Sequence, residues 1–205
     1  MMPMRWIRLS LLVGFVGAAG LVGRLSAGEA KAKAEIGQPA PGFKLPDLDG
    51  KTVSLSDFRG KLVVLEWMSQ KCPVSNSKAA GMAELSKKYA EKDVVWLGID
   101  SSATGHPYHT TAEQKKAYAK QKSLTYPVLS DPEGTVGRSY GARTTPHMFI
   151  VDKEGLLVYD GAIDDKKPGG TNYVSQALDA LLAGSAVPTP KTTPYGCTVK
   201  YAGGR

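Results

Sequence analysis

Lys61-Leu-Val-Val-Leu-Glu-Trp-Met68 and the five residues that follow it, Ser69-Gln-Lys-Cys-Pro73, decide the fold of this chain. The first stretch is short, rich in Val and Leu and preceded by Gly60, a pattern that predicts a buried strand. Proline is favoured in the first turn of a helix, where its missing N–H costs nothing, so Cys72 is predicted to be a helix N-cap. The unpaired N–H groups and the dipole at a helix N-terminus favour a thiolate. We therefore expect a reactive sulfur where this strand ends.

Further strand and helix patterns alternate on both sides of this stretch. A hairpin is indicated around Asp49-Gly50, and a second one around Lys153-Glu-Gly155. The other predicted elements are helices from Pro73 to about Ala90, from Thr110 to about Lys122, at Val136–Tyr140 and at Tyr173–Leu182, and strands at Val94–Ile99 and Tyr126–Leu129. This order predicts an α/β fold, a mixed central sheet flanked by helices, with chemistry at the carboxyl ends of the parallel strands.

The first 27 residues have the pattern of a secretory signal peptide. Arg5 and Arg8 make a basic start, and the uncharged run Leu9–Gly23 is shorter than the ~20 residues that span a bilayer. We therefore expect export to the periplasm or the extracellular space, with membrane attachment only through an uncleaved leader.

The remainder of the chain is predicted to form one domain with two flanking segments. The expected division is a signal peptide at 1–27, an Ala/Lys/Glu linker at 28–35, a folded domain at 36–186 and an irregular, Pro- and Thr-rich tail at 187–205 that carries Cys197.

Composition narrows the classes of function. The formal net charge is +7, but the Lys and Arg residues are scattered among acids, so no nucleic-acid partner is predicted. Two cysteines and three histidines make a metal site improbable, and no cofactor is predicted. In an exported protein two cysteines form at most one intramolecular disulfide.

Several segments resemble the redoxin branch of the thioredoxin superfamily, the alkyl hydroperoxide reductase/thiol-specific antioxidant proteins, or peroxiredoxins. The resemblance runs from about Ile36 to about Leu182, and the tail is similar to that of an exported subgroup. It rests on Gly37-Gln-Pro-Ala-Pro41, Val53-Ser-Leu-Ser-Asp-Phe-Arg-Gly60, Thr145-Pro146, Phe149-Ile-Val-Asp-Lys-Glu-Gly155 and Pro194-Tyr-Gly-Cys-Thr-Val-Lys-Tyr201. It implies a thioredoxin-like fold with an N-terminal hairpin extension, in which Thr145-Pro146 forms the cis-proline loop.

The resemblance also implies roles for the site residues. Peroxiredoxins carry Thr-x-x-Cys before a proline, so Cys72 corresponds to the peroxidatic cysteine and Ser69 supplies the hydroxyl that holds the peroxide. Pro146 stands where these proteins have their arginine, and Arg143, three residues earlier, is the candidate to polarise the peroxide.

Substrate-binding residues are expected on both sides of the sulfur. Pro73 follows Cys72, and the loop Thr145-Pro146 is expected to face it. His147 is a candidate base or proton donor, and a packing role is equally consistent with the sequence.

Cys197 has three alternative interpretations. It is a resolving thiol that condenses with a Cys72 sulfenic acid, one end of a permanent disulfide, or a free thiol unrelated to Cys72.

The predicted function is peroxiredoxin-like reduction of hydroperoxides through the Cys72 thiolate. An external thiol reductant, a thioredoxin-like protein or a small thiol, would supply the electrons. One alternative is a thiol–disulfide oxidoreductase that acts on envelope proteins through an exposed groove beside Thr145-Pro146. The other is a non-catalytic module with a structural Cys72–Cys197 disulfide.

Overall fold

The computed structural model describes residues 33–204, so the predicted signal peptide and the linker up to residue 32 lie outside the described residues. The strands are β1 (Lys44–Pro46), β2 (Thr52–Ser54), β3 (Leu62–Trp67), β4 (Val94–Asp100), β5 (Val128–Ser130), β6 (Thr144–Thr145), β7 (His147–Val151), β8 (Leu157–Gly161) and β9 (Cys197–Thr198). The α-helices are α1 (Pro73–Ala90), α2 (Ala112–Gln121), α3 (Thr135–Tyr140) and α4 (Tyr173–Leu182), and a 3-10 helix spans Leu55–Phe58.

Five strands form the central sheet in the order β5-β4-β3-β7-β8. β3, β4 and β5 are parallel, whereas β7 runs antiparallel to β3 and to β8. The predicted mixed sheet is thereby confirmed. β5 begins at Val128, two residues later than the predicted start at Tyr126. Its pairing with β4 starts at Val128, and the carbonyl of Pro127 just before it accepts a hydrogen bond from Gly98 N–H.

β3 lies in the middle of the sheet, and all six of its residues are buried. Val63, Leu65 and Trp67 belong to one apolar cluster. Leu62 and Val64 point to the opposite face and pack with residues of α1 and α4. This two-sided burial explains why the strand is continuously apolar rather than alternating.

The predicted N-terminal hairpin is formed by β1 and β2. Asp47 Oδ1 accepts hydrogen bonds from the N–H groups of Asp49 and Lys51, both at 2.9 Å. Gly50 has φ of 80°, a conformation that favours glycine. The turn therefore closes through local chemistry.

Both predicted flanking segments make contacts with the domain. Ala34 N–H donates to the Ser139 carbonyl at 2.9 Å, so ordered contacts begin before the predicted start at Ile36. The tail was predicted to be irregular, but it contains β9, and Thr192 N–H donates to Asp160 O. The edges of β6 and β8 supply the partners that the tail's backbone groups require. Within residues 33–204, no helix is both long and apolar enough to span a bilayer.

Candidate active site

Cys72 is the N-cap of α1, as predicted, with Pro73 in the first turn. The Ser75 N–H donates to Cys72 Sγ at 3.5 Å. Sγ also lies 3.1 Å from the Thr145 carbonyl oxygen, to which a reduced thiol can donate. The site therefore offers the thiolate a helix N–H and offers the thiol a carbonyl acceptor.

A disulfide joins Cys72 to Cys197 across 125 residues of sequence, with Cα atoms 5.9 Å apart. The interpretation of Cys197 as an unrelated free thiol is therefore wrong. Cys72 is fully buried, with 0% of its surface exposed, whereas Cys197 is partly exposed. An incoming thiol thus meets Cys197 first.

The C-terminal tail covers the edge of the site. β9 pairs antiparallel with β6, so that Thr145 lies opposite Cys197 and Thr144 opposite Thr198. The peptide bond Thr145-Pro146 is cis, in agreement with the predicted cis-proline loop. In this disulfide form the expected groove beside Thr145-Pro146 is not open but is filled by the chain's own strand.

Ser69 contacts the active-site helix through its backbone. Its N–H donates to Ser75 Oγ at 3.2 Å, and its carbonyl accepts from Cys72 N–H at 3.1 Å. Its hydroxyl is buried, has no hydrogen-bond partner among residues 33–204 and lines a small cavity with Tyr118. The predicted role of this hydroxyl in holding a peroxide remains a prediction.

Arg143 has an exposed side chain on a groove of about 480 Å³ that Arg138 and Tyr201 also line. Within the described part of the chain, its guanidinium forms no hydrogen bond or ion pair, with Cys72 or any other residue. Its backbone instead joins the site, because its N–H donates to His147 and its carbonyl accepts from Val199 N–H.

His147 is buried and bonded at both ring nitrogens. Nδ1 accepts from the Arg143 N–H at 3.2 Å, which assigns the ring proton to Nε2, and Nε2 donates to Asp160 Oδ1 at 2.8 Å. Burial lowers the pKa of His147 below its ordinary value, in agreement with a neutral ring. His147 therefore ties the loop before Pro146 to β8, and neither ring nitrogen points freely at the sulfur.

His147→Phe is expected to lower the free energy of unfolding by about 3 kcal/mol at pH 7.5. The change leaves the Arg143 N–H without its acceptor, and it leaves the Asp160 carboxylate with only the exposed Lys191, whose Nζ lies 3.4 Å from Oδ2. His147→Asn, whose amide oxygen can replace Nδ1 as acceptor, is expected to lose less. The folded-state pKa of His147 lies below the unfolded value, so the unfolded chain binds more protons and stability falls as pH drops below about 6.5. Urea titrations at pH 7.5 and 5 would show this loss of stability at low pH in the wild type. If His147→Phe lost stability between the two pH values by the same amount, the attribution of the loss to His147 would be contradicted.

Glu66 is a buried carboxyl within the otherwise apolar strand β3. Trp96 Nε1 and Tyr126 Oη both donate to Oε2 at 2.9 Å. Burial raises the pKa of Glu66 to about 7, an effect that these two hydrogen bonds only partly offset. The only sequence signal was a charged residue inside an apolar run.

Glu66→Gln is expected to flatten the pH dependence of stability. The folded-state pKa is higher than the unfolded value, so the folded protein binds the extra proton between about pH 4.5 and 7, and stability falls by about 3 kcal/mol as pH rises through this interval. Urea unfolding of wild type and variant at pH 5 and 8 measures the difference. An identical loss in both proteins would show that Glu66 is not the titrating group.

Comparison with known proteins identifies the family. The model of the AhpC/TSA family matches residues 36–160. The chain is 35% identical over 156 residues to a thiol-disulfide oxidoreductase ResA of Bacillus cereus, covering 76% of this chain and 84% of that protein. It is 32% identical over 135 residues to a chloroplastic peroxiredoxin Q of Triticum aestivum, covering 62% of this chain and 58% of that protein.

A solved structure confirms the fold. The crystal structure of a hypothetical protein from Sinorhizobium meliloti 1021 superposes with a TM-score of 0.77 at 30% identity, covering 84% of this chain and 97% of that chain. The predicted thioredoxin-like fold with its N-terminal hairpin is thus confirmed. With its helix-capping cysteine and its matched residues, this chain belongs to the AhpC/TSA family and is a thiol-based redox protein of the thioredoxin-like superfamily.

Proposed function

We propose that this protein is a thiol–disulfide oxidoreductase whose redox-active pair is Cys72 and Cys197. The observation that carries the proposal is the disulfide between the helix-capping Cys72 and the partly exposed Cys197. The similarity to thiol-disulfide oxidoreductases ResA supports it. Hydroperoxide reduction, the first expectation from the sequence, is therefore the second candidate.

The dithiol form reduces a substrate disulfide in two exchanges. The Cys72 thiolate attacks one substrate sulfur, a mixed disulfide forms, and the other substrate sulfur leaves as a thiolate that takes up a proton. The Cys197 thiolate then attacks Cys72 Sγ and releases the second substrate thiol. Two electrons have moved, because the substrate disulfide has become two thiols and the Cys72–Cys197 bond has formed.

An external thiol resets the protein. Its thiolate attacks the partly exposed Cys197 sulfur, and Cys72 leaves as a thiolate next to the Ser75 N–H at the α1 N-terminus. A second reductant thiolate then resolves the mixed disulfide on Cys197. A thiol whose thiolate is stabilised leaves faster, so this direction of attack is favoured.

The proposed setting is outside the cytoplasm, as the expected leader implies. There the reductant would be an exported thioredoxin-like protein or a small thiol, because the pair would otherwise stay oxidised.

Peroxide reduction has one specific observation in its favour. Ser69, not a second cysteine, stands three residues before Cys72, so the sulfur at the N-cap has no thiol neighbour in its own turn. A hydroperoxide would oxidise Cys72 to sulfenic acid, and condensation with Cys197 would release water and form the same bridge.

Competition between the two oxidants tests the proposal. Reduced protein receives one equivalent of a peptide disulfide or of hydrogen peroxide, and intact mass is recorded against time. We expect the loss of about two mass units that marks the Cys72–Cys197 bond to be about tenfold faster with the disulfide. A faster reaction with hydrogen peroxide would favour peroxide reduction. If neither oxidant formed the Cys72–Cys197 bond, the interpretation of that bond as a purely structural disulfide would be favoured.

A further inference from the structure

The segment Gly196–Val199 lies against β6 in the way that an added peptide strand lies against a sheet edge. Besides the strand pairing, Thr145 Oγ1 donates to the Cys197 carbonyl at 3.4 Å, and Val199 N–H donates to the Arg143 carbonyl at 3.0 Å. Its cysteine is at the same time disulfide-bonded to Cys72. This arrangement combines main-chain pairing with a sulfur–sulfur bond, the two contacts that a covalently captured peptide would make.

Two positions of this segment are sterically selective. Gly196 has φ of 136°, and a Cβ on it would overlap the Thr145 carbonyl oxygen, so only glycine fits at this site. Val199 is buried, with 6% of its surface exposed, and packs into the apolar cluster that contains Trp67 and Tyr140. Thr198, between Cys197 and Val199, is exposed and selects nothing.

We propose that residues 196–199 are an internal substrate mimic, and that the polypeptide this protein exchanges disulfides with presents the same features. The partner is an extended segment with glycine immediately before its cysteine and a β-branched apolar residue two positions after it. This inference rests on the proposed function, since it names the substrate class of the same site.

Reduction of the disulfide alone does not release the segment Gly196–Val199 from the edge of β6. Tyr201 Oη donates to the Ala142 carbonyl at 2.7 Å, and Arg138 lies 4.7 Å from the centre of the Tyr201 ring. Ala103 N–H donates to Lys200 O at 2.8 Å. These contacts hold the segment beside Cys72 after its covalent bond is broken, so a partner strand must compete with it.

The test uses full-length Cys197→Ser protein and synthetic peptides activated as mixed disulfides with thionitrobenzoate. The Cys72 thiolate attacks the peptide sulfur, the peptide–aryl disulfide breaks, and the coloured aryl thiolate leaves, which gives the rate by absorbance. One peptide has the sequence Tyr-Gly-Cys-Thr-Val-Lys-Tyr of residues 195–201. The others replace its glycine by valine or its valine by aspartate.

We expect the peptide of native sequence to react about tenfold faster than either altered peptide. Valine in place of glycine would overlap the Thr145 carbonyl oxygen, and aspartate in place of valine would bring a charge into the apolar site of Val199. Adding Tyr201→Ala to Cys197→Ser is expected to accelerate capture of the native sequence several-fold by loosening the competing segment. Tyr195→Ala is the matched control, because that tail tyrosine bonds to Asp164 instead of to the residues around β6.

Rates within twofold of one another for all three peptides would overturn the proposal that residues 196–199 mimic a substrate. This conclusion requires that the small reagent, symmetrical dithiobis(nitrobenzoate), still reacts with Cys72. Failure of Cys72 to react with the small reagent as well would instead overturn the proposed function. The two failures are therefore distinguishable in one set of measurements.

Discussion

Cys72→Ser is expected to lose the fast disulfide exchange and to keep at most a slow reaction at Cys197, whereas Cys197→Ser is expected to keep the first exchange and lose the second. A serine hydroxyl is not ionised at the pH at which a helix-capped cysteine is a thiolate, so the nucleophile at the helix N-cap is lost and only Cys197 remains, without a helix N-terminus to stabilise its thiolate. Without Cys197, the mixed disulfide on Cys72 has no internal thiol to resolve it. The difference between the two variants distinguishes the attacking sulfur from the resolving one.

The measurement is mass spectrometry of each reduced variant after one equivalent of a peptide disulfide. Cys197→Ser should accumulate a stoichiometric peptide adduct on Cys72, and Cys72→Ser should give at most a slow adduct on Cys197. A fast adduct on Cys197 in Cys72→Ser would contradict the order of attack. Circular dichroism of both variants controls for loss of fold.

Reduction of the Cys72–Cys197 bond is expected to lower the free energy of unfolding by about 5 kcal/mol. The bond closes a loop with a sequence separation of 125, and the chain-entropy relation gives about this value for a loop of that length. For a protein of this size, such a change lowers the melting temperature by roughly 10–20 °C.

Urea unfolding of oxidised and reduced wild-type protein gives this difference without a substitution. The double variant Cys72→Ala/Cys197→Ala serves as a control that cannot re-oxidise, and it should resemble the reduced protein, with a small added cost for the atoms removed from the buried Cys72 site. A difference below about 1 kcal/mol would show that the bond does not constrain the unfolded chain as the relation assumes. The stabilisation and the proposed exchange chemistry are compatible, because a bond that stabilises the oxidised form still breaks when a thiol attacks the partly exposed Cys197.

The sequence by itself determined the features that depend on neighbouring residues. An apolar run after Gly60, a cysteine and then a proline predicted β3, the N-cap and α1, because strand burial and helix capping act over a few residues. The turn at Asp49-Gly50 was predictable for the same reason, since its hydrogen bonds lie within five residues.

Only the tertiary structure decided which distant groups meet. Cys197 could be resolving, structural or unrelated as long as the path of the tail was unknown, and its pairing depends on contacts with β6 and β8 that lie far away in sequence. The two-sided hydrogen bonding of His147 and the burial of Glu66 against Trp96 and Tyr126 are equally non-local.

The physical reason is a difference of range. The periodicity of apolar residues, helix capping and turn formation depend on residues that are close together in the sequence. Cys72 as an N-cap and the helix that follows it can therefore be predicted from the sequence. The protonation state of a buried group and the partner of a cysteine depend on which surfaces pack together, and the whole chain determines that packing. The helix-capping cysteine was therefore predictable from sequence, whereas its disulfide partner and the segment that covers it were set by the fold.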